Sequence, residues 1–156
     1  MTPISEKEKE YFFEQATGSD ATPLWYGARY GDDIPDKNKF FEDWQQFYFQ
    51  DRENERGRCF HILREQSKIG QVNYNSINND EVDVDILIYS KENWSKGYGT
   101  SAIKLMCAYL EEKYHVKKVW IDVHTENNRA MKAYEKAGFS SEGKQGDLVR
   151  LTKFTS

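Results

Sequence analysis

The sequence has little of several features that mark particular classes of protein. It contains two cysteines and three prolines in 156 residues. Cys59 and Cys107 lack the spacing of metal ligands, so we expect no metal centre and ordinary buried thiols in a reducing compartment. The chain also lacks an apolar run long enough to cross a membrane, and its N-terminus is charged rather than signal-like. These absences predict a cytoplasmic protein without a membrane partner.

An excess of positive charge is also missing. The 22 lysines and arginines are outnumbered by 26 aspartates and glutamates, which gives a formal net charge of -4. General nucleic-acid binders are usually basic, so this charge argues against a nucleic-acid partner and mildly favours a cationic one. The length predicts a single domain over residues 1–156 with a sizeable core.

The first third of the chain is rich in aromatic residues. Its pattern predicts a helix over residues 5–15, a loop over 18–35 and a second helix over 36–49. The loop carries Trp25 and Tyr26, and a polar loop does not need such rings. The rings either cover the edge of the core or form a wall of a substrate pocket. The sequence leaves both interpretations open.

From residue 58 the apolar pattern is that of a sheet with helices. Strands are expected at residues 59–63, 68–74, 81–89 and 116–123, helices at 97–114 and 127–137, and a hairpin at 139–154. The buried side of the first of these helices is expected to carry Ile103, Leu105, Met106 and Leu110. Tight turns join the first three strands into an antiparallel meander, and a right-handed crossover places the fourth parallel to the third. The expected fold is a mixed α/β sheet with helices on both faces.

Two glycines lie where the third strand gives way to a helix. The free N–H groups of a first helical turn bind anions, and Gly97 and Gly99 would let a bulky anion approach the backbone. The glycines could instead serve only a tight turn. Gly97-x-Gly99-x-x-Ala102 also fits a dinucleotide-binding fingerprint, but residues 90–96 separate the glycines from the strand, which disfavours that module.

The strand that precedes this turn carries acids on one face. Glu81, Asp83 and Asp85 alternate with apolar residues, and their mutual repulsion tends to raise the pKa of the most buried one. One interpretation is a solvated strand face. The other is that Asp85, nearest the end of the strand, lies in a cleft as a general base or cation anchor.

A tyrosine flanked by alanines marks the helix over 127–137. Asn127 is a natural N-cap, and Ala130, Tyr134 and Ala137 share one helix face. The small neighbours leave room beside the ring. Tyr134 is therefore either a phenol in a narrow groove or an ordinary core tyrosine.

Two segments together resemble the GCN5-related N-acetyltransferase (GNAT) family. Lys96-Gly97-Tyr98-Gly99-Thr100 is similar to the loop that binds the acetyl-CoA pyrophosphate in that family. Asn127-x-x-Ala130-x-x-x-Tyr134-x-x-x-Gly138-Phe139 is similar to the family's helix along the CoA arm and the strand after it. The resemblance is good over residues 81–139 and poor over the first third.

The resemblance implies an N-acetyltransferase that takes acetyl-CoA as co-substrate and acetylates a primary amine by direct attack. It implies a GNAT fold in which residues 1–55 form a helical acceptor-side region and residues 58–156 form the sheet and acetyl-CoA core. A splay between the two parallel strands would admit the acyl group, and strand N–H groups there could polarise its carbonyl. Tyr134 would be the general acid for the leaving thiolate, and Asp85 would act on the amine.

The implied site residues fall into two groups. Those for acetyl-CoA are Ile88, Lys96, Gly97, Tyr98, Gly99, Thr100, Asn127, Ala130 and Tyr134. Those for the amine substrate are Trp25, Tyr26, Asp83 and Asp85.

The chain departs from the family pattern in two places. Trp94 stands where the family loop commonly begins with Gln or Arg, which puts one polar contact to the cofactor in doubt. Many members also begin with a strand, which must be short or missing here.

The identity of the acceptor stays open at this point. The acid at 85 and its distance from the glycine loop resemble aminoglycoside 6′-N-acetyltransferases, but Ile86-Leu87 follows the acid where that subgroup typically has Gln-Phe. There is some similarity to ribosomal-protein-type acetyltransferases too, so ribosomal-protein or other peptide amines, polyamines and small-molecule amines are the other acceptors left open. A non-catalytic acyl-CoA sensor is an alternative of another class. Dimers are common in the family, so a homodimer is a further expectation.

Overall fold

The computed structural model describes residues 1–25, 33–50 and 52–155. Seven strands form one mixed sheet in the order β1-β2-β3-β4-β5-β7-β6. The strands are β1 (Thr2–Pro3), β2 (Arg58–Arg64), β3 (Ser67–Tyr74), β4 (Glu81–Ile88), β5 (Lys118–His124), β6 (Ser140–Gln145) and β7 (Leu148–Phe154). The helices are α1 (Lys9–Gly18), α2 (Thr22–Trp25), α3 (Lys37–Asp43), α4 (Tyr98–Tyr114) and α5 (Asn128–Lys136), with 3₁₀ turns at Glu6–Glu8, Gln46–Phe49 and Lys91–Asn93.

The expected meander and crossover are both present. β2, β3 and β4 pair antiparallel in sequence, and β5 pairs parallel to β4. The parallel ladder is short, because it runs only from Glu81 opposite Lys118 to Asp83 opposite Trp120. β4 continues to Ile88 without pairing to β5, so the two strands separate toward their carboxyl ends. The predicted splay is therefore present.

The two faces of the sheet are covered by different kinds of side chain. Cys59 and Phe60 are neighbours in β2 and point to opposite faces, since successive side chains of a strand alternate. Phe60 belongs to a mostly aliphatic core under α4 and α5, which includes Ile103 and Met106. Cys59 belongs to a mainly aromatic cluster under α1 and α3. Helices therefore lie on both faces, as expected.

The N-terminal region shows most of the differences from expectation. The first strand is short rather than missing, because Thr2–Pro3 pairs with β2. The expected loop over 18–35 contains α2. The expected helix over 36–49 ends at Asp43, since the backbone of Trp44 leaves the helical conformation with ψ 74°. The Trp44 ring packs with its centroid 4.9 Å from that of Phe12. Tertiary packing here overrides helical periodicity.

Leu105 of α4 is a further correction. It was expected on the buried side of the helix, but 53% of its surface is exposed. Ile103, Met106 and Leu110 are fully buried and follow each other at three- and four-residue steps. Leu105 lies about 200° around the helix from Ile103, since each residue turns by about 100°. It therefore faces away from the sheet.

Candidate active site

The splay between β4 and β5 opens into a cavity of about 540 Å³. Its walls are the separated ends of the two strands, one face of α5, the α2 segment and the β6–β7 turn. Its bordering residues include Trp25, Asp85, Ile86, Ile88, Asp122, Asn127, Arg129, Ala130, Tyr134 and Asp147. We call this space the splay cavity.

A second cavity of about 390 Å³ lies at the N-terminus of α4, and we call it the loop cavity. Gly97, Tyr98, Gly99 and Thr100 border it on one side. Side chains of α5 border it on the other. Ile88, Gly99, Arg129 and Ala133 border both cavities, so the two form one continuous groove.

The loop at the start of α4 has the backbone that an anion site needs. Gly97 is the N-cap and has φ +88°, a left-handed conformation that glycine adopts without strain. A Cβ added at Gly97 or Gly99 would meet no atom within 4 Å, so the space above both is open. Thr100 Oγ1 donates to the carbonyl of Ala133 at 2.9 Å, which fastens α4 to α5. Lys96 precedes the turn but borders neither cavity.

The unpaired edge of β4 presents backbone groups to the splay cavity. Tyr89 N donates to Ile69 O at 3.0 Å, and Asp83 O accepts from Asn75 N at 3.0 Å, so the odd-numbered residues of this segment turn toward β3. The peptide groups of Ile86 and Ile88 therefore turn toward β5, where the ladder has ended. Their N–H groups are suitably placed to polarise a carbonyl in the splay.

Trp94 contacts both the strand edge and α5. Its indole Nε1 donates to the carbonyl oxygen of Ile88 at 2.8 Å. The guanidinium carbon of Arg129 lies 3.7 Å from the centroid of a Trp94 ring, which is close cation–π geometry. Trp94, the residue that departs from the family pattern, therefore contacts both the end of β4 and the start of α5.

Tyr134 is buried, with 6% of its surface exposed, and it borders the splay cavity. Its ring lies 6.4 Å from that of Phe139. Burial raises the pKa of the phenol, and the nearby charge of Asp85 raises it further. The hydroxyl therefore keeps its proton at neutral pH. Tyr134 is both a core residue and a cavity residue, so the two sequence interpretations are not exclusive.

Asp85 is half-buried and borders the splay cavity. Burial raises its pKa to about 6, and the neighbouring charge of Asp83 adds to this shift, while hydrogen bonds from Asn75 and Asn73 oppose it. Asp83 accepts a hydrogen bond from the Asn75 side chain and does not border the cavity. Of the three strand acids, only Glu81 is exposed.

Other expected site residues are placed as follows. Asn127 caps α5, since its side chain accepts from Ala130 N at 3.3 Å, and both residues border the splay cavity. Trp25 borders the same cavity. Tyr26 lies outside the described residues. Among the described residues, no group of three His, Cys, Asp or Glu side chains could hold a metal ion, and no helix is long and apolar enough to span a membrane.

Sequence reasoning missed several residues of the groove. Arg129, Lys132 and Lys136 border the loop cavity and follow each other at three and four residues along α5. That spacing puts them on one helix face, which was a readable signal. Asp122 and Asp147 border the splay cavity from β5 and the last hairpin. Nothing in the local sequence connects Asp147 with Asp85, since 62 residues separate them.

Residues 1–140 match the family model of the acetyltransferase (GNAT) domain. The chain belongs to the GNAT family. The match also includes the first third, where the sequence resemblance was poor. It confirms the N-acetyltransferase assignment and the use of acetyl-CoA as co-substrate.

Solved structures share the fold over nearly the whole chain. A domain from Methanocaldococcus jannaschii DSM 2661 is 24% identical, with 98% of this chain and 96% of that chain covered and a TM-score of 0.77. Spermidine N-acetyltransferase from Vibrio cholerae, in complex with CoA and spermine, is 19% identical, with 97% of this chain and 92% of that chain covered and a TM-score of 0.76. The aminoglycoside acetyltransferase AAC(6′)-Ib, in complex with ribostamycin and coenzyme A, is 19% identical, with 97% of this chain and 90% of that chain covered and a TM-score of 0.79. At these identities the likeness shows the GNAT fold alone.

Proposed function

We propose that this GNAT enzyme transfers the acetyl group of acetyl-CoA to a primary amine of a cationic small molecule. One observation carries the proposal: Asp85 and Tyr134 border the same cavity, at the point where β4 and β5 separate. One group is suited to attract and deprotonate an amine. The other carries a proton that a leaving thiolate needs.

The continuous groove suits acetyl-CoA. The open space over Gly97 and Gly99 and the N-terminus of α4 would take the pyrophosphate. The edge of β4 near Ile88 and the α5 face with Asn127 and Ala130 would flank the pantetheine arm. When bound, acetyl-CoA supplies the acetyl group as a reactive thioester.

The acceptor side favours a cation. Asp85, Asp122 and Asp147 all border the splay cavity. Asp122 is already held by Arg150 through two hydrogen bonds of 2.9 and 3.0 Å, which leaves Asp85 and Asp147 as the acids without that compensation. A cationic amine near Asp85 would stabilise the ionised carboxylate, whose own pKa is raised to about 6.

An aromatic wall completes the acceptor side. Trp25 borders the cavity and its ring lies 5.9 Å from that of Trp44, which in turn packs on Phe12. The aromatic cluster under α1 and α3 therefore holds Trp25 in place. An apolar ring and a carboxylate that border one cavity suit the methylene chain or ring of a small amine better than an extended basic peptide.

The proposed proton movements follow from the two pKa values. Above pH 6 the carboxylate of Asp85 is ionised in most molecules and can take a proton from the acceptor ammonium. The N–H groups of Ile86 and Ile88 would stabilise negative charge on the acetyl oxygen. Tyr134, which keeps its proton at neutral pH, would then donate it to the departing sulfur.

A narrower candidate is an aminoglycoside 6′-N-acetyltransferase. The acid at Asp85 resembles that subgroup, and the fold is shared with AAC(6′)-Ib at a TM-score of 0.79. The polyamine candidate has matching support from the structure of spermidine N-acetyltransferase. Both acceptors carry several amines, which fits a cavity bordered by more than one acid.

An acceptor screen tests the proposal. Release of free CoA thiol from acetyl-CoA is followed with kanamycin, spermidine and a basic peptide, and a neutral amine at the same concentration is the matched control. We expect a cationic small amine to give the largest kcat/KM. Tight CoA binding without thiol release from any acceptor would instead support the sensor alternative, and NAD binding without CoA binding would overturn the assignment.

A cytoplasmic location and a homodimer remain predictions. The location is predicted from the cysteine content. Fractionation of cells and light scattering of the purified protein would test the two predictions separately.

A further inference from the structure

Two asparagines of β3 and its end lie beside two aspartates of β4. Asn73 is opposite Asp85 in the β3–β4 ladder, and two residues further along Asn75 N donates to Asp83 O. Each aspartate therefore has an asparagine amide as its cross-strand neighbour. Because Asp83 does not border the splay cavity, its carboxylate needs an explanation other than contact with the amine.

Tyr48 fixes the direction of the Asn75 amide. The Tyr48 hydroxyl donates to Asn75 Oδ1 at 2.7 Å, and Asn73 Nδ2 donates to the same oxygen at 3.3 Å. The other end of the amide, Asn75 Nδ2, donates to Asp83 Oδ2. An amide whose oxygen is held by two donors presents only its N–H groups to the carboxylate.

Packing holds the Tyr48 ring where its hydroxyl can reach Asn75. The ring is buried, and a Cβ added at Gly57 would come within 2.5 Å of Tyr48 Cε1. The rings of Trp44 and Phe47 lie 4.9 and 4.6 Å from the Tyr48 ring. The hydroxyl is therefore positioned by the aromatic cluster and by the absence of a side chain at Gly57.

The charge of Asp83 acts on Asp85. The two residues are two positions apart on one strand face, so their Cα atoms are about 7 Å apart, which is close enough for carboxylates to repel each other. Burial raises the pKa of Asp85 most, and the charge of Asp83 raises it further. Two such groups titrate as a pair, and the pair loses its last proton at a higher pH than either group would alone.

Several other elements bring ionisable groups close to Asp85 or to the same cavity. They are Cys59 of β2, Tyr48 of the 3₁₀ turn, Asp122 and His124 of β5, Arg129 and Tyr134 of α5, Asp147 of the β6–β7 turn and Arg150 of β7, which acts on Asp83. The thiol and both phenols keep their protons at neutral pH, because burial raises the pKa of each. The charge of Asp83 has a larger effect on the pKa of Asp85 than that of Asp122.

We propose that Asp83, held by Asn75 and Tyr48, does not bind the acceptor and instead strengthens Asp85 as the base of acetyl transfer. Asp83 is a positioning residue that acts through its charge, and Asn75 and Tyr48 keep that charge in place. The proposed function underlies this assignment, because Asp85 must take the proton of the amine. The aromatic cluster is thereby connected with the pH range in which the enzyme works.

The pH dependence of kcat/KM tests the charge of Asp83. Asp83→Asn keeps the size of the side chain and removes the charge, so the inflection near pH 6 should move down by about 0.5–1 pH unit. Above the inflection, KM for the acceptor should stay within about twofold of wild type, because Asp83 lies outside the cavity. An unmoved inflection, or a KM raised about tenfold, would overturn the proposal.

Asp80→Asn is the matched control for this charge removal. Asp80 is exposed and directly precedes β4, where it lies 3.4 Å from Lys117. Its substitution removes the same charge from a position that solvent screens, so the inflection should stay within about 0.2 pH unit of wild type. An equal downward shift in Asp80→Asn would mean that net charge, and not the place of Asp83, sets the inflection.

The two residues behind Asp83 should move the inflection in the opposite direction. Hydrogen bonds from an amide lower the pKa of a carboxyl group, so Asn75→Ala should raise the inflection by about 0.5–1 pH unit. Tyr48→Phe keeps the ring and should raise it by about half as much. In the Asn75→Ala background, Tyr48→Phe should add no further rise, because the hydroxyl acts through the amide. Absent or downward shifts in both single variants, or additive shifts in the double variant, would contradict the positioning role.

Carboxyl-carbon NMR of the protein without ligands follows the same titration independently of catalysis. The pKa of Asp85 should fall by about 0.5–1 unit in Asp83→Asn. His124→Gln should leave both the NMR titration and the kinetic inflection in place, which separates Asp85 from the imidazole that borders the same cavity. If the wild-type protein acetylates no amine, the proposed function fails. If the Asp85 titration is the same in wild type and Asp83→Asn, the role of Asp83 fails even in an active enzyme.

Discussion

The cofactor half and the acceptor half of the molecule are built in different ways. The cofactor half consists of β4, α4, β5 and α5, and it presents backbone N–H groups over a largely aliphatic core. The acceptor half consists of α1, α2 and α3 together with the side chains of Asp85 and Asp147, and it presents an aromatic wall over a cluster that includes Phe12. A site built from backbone N–H groups can keep its ligand when neighbouring side chains are substituted. A site built from aromatic side chains changes its shape when one of them is substituted.

This difference suggests which half fixes the chemistry and which fixes the acceptor. The groove for acetyl-CoA depends on the glycine turn at the start of α4 and on the point where the β4–β5 ladder ends. The space for the amine depends on Trp25, Asp85 and Asp147, which come from α2, β4 and the last hairpin. Variants in each half test whether cofactor binding and acceptor binding are independent.

The largest effect is expected from Tyr134→Phe, in the cofactor half. Loss of the phenol proton should lower kcat by about 10²- to 10³-fold, since general acid catalysis contributes about 10²–10⁴. The Kd for acetyl-CoA should stay within about twofold, because the ring remains. Steady-state kinetics and calorimetry measure the two quantities. An unchanged kcat would remove Tyr134 as the acid.

Phe12→Ala should damage the acceptor half through its packing. Phe12 is fully buried, with the rings of Phe40, Trp44 and Phe49 between 4.9 and 5.7 Å away. Truncation should lower the free energy of unfolding by about 3–5 kcal/mol, measured by urea denaturation. Below the melting transition, KM for the acceptor should rise while the Kd for CoA holds. Phe12→Leu is the control, and both its loss of unfolding free energy and its rise in acceptor KM should be smaller. A loss of CoA affinity in either variant would contradict the separation of the two halves.

Asp85→Asn should affect the amine and the pH dependence. We expect kcat/KM for a cationic acceptor to fall about 10- to 100-fold. In wild type the rate should rise through pH 6 as the carboxylate ionises, and this inflection should vanish in the variant. If the pH profile survives, Asp83 or Glu81 acting through a water becomes the better base.

The same substitution should stabilise the fold. The folded-state pKa of Asp85 is about 6, above the 3.8 of an unperturbed aspartate, so the folded protein holds this proton more tightly. Stability is therefore lost as the pH rises from about 4 to about 6. Asp85→Asn avoids that loss and should be more stable at pH 7 by up to about 3 kcal/mol, because a difference of one pKa unit corresponds to about 1.4 kcal/mol. Thermal melts at pH 4 and pH 7 would show the gain only at the higher pH.

Glu8→Gln should give the smallest effect. Burial raises the pKa of Glu8, but hydrogen bonds from Lys68 and Ser5 N and the charge of His61 outweigh it and lower the pKa to about 2. The ionised Glu8 side chain therefore stabilises the fold above about pH 4.5. This stabilisation is lost as the pH falls through about 2. Because Glu8 is partly exposed, the variant should lose about 1 kcal/mol at pH 7. An equal loss at pH 2 would show that the charge is not responsible.

The sequence predicts the cofactor half well because its signals are local. The alternation in β4, the glycines at 97 and 99 and the Asn127 cap each lie within one element. The acceptor half depends on contacts across the chain. For example, α3 ends at Asp43 and the Trp44 ring packs on Phe12. The apolar periodicity of residues 36–49 does not indicate this helix end.

The same limit applied inside the site. The charges at 129, 132 and 136 were readable as one helix face, but the pairing of Arg129 with Trp94 joins residues 35 apart. It therefore required the fold. Leu105 shows the reverse error, since it is apolar but its angle around α4 turns it away from the sheet.

The separation of the two halves is tested most directly by the CoA affinity of Asp85→Asn. Calorimetric titration of CoA into wild type and variant at pH 7.5 isolates the cofactor half, and kcat/KM for the best acceptor reports the other. We predict a Kd within about twofold of wild type beside the 10- to 100-fold loss in kcat/KM. A Kd weakened as much as kcat/KM would contradict the account, because Asp85 would then belong to the cofactor half.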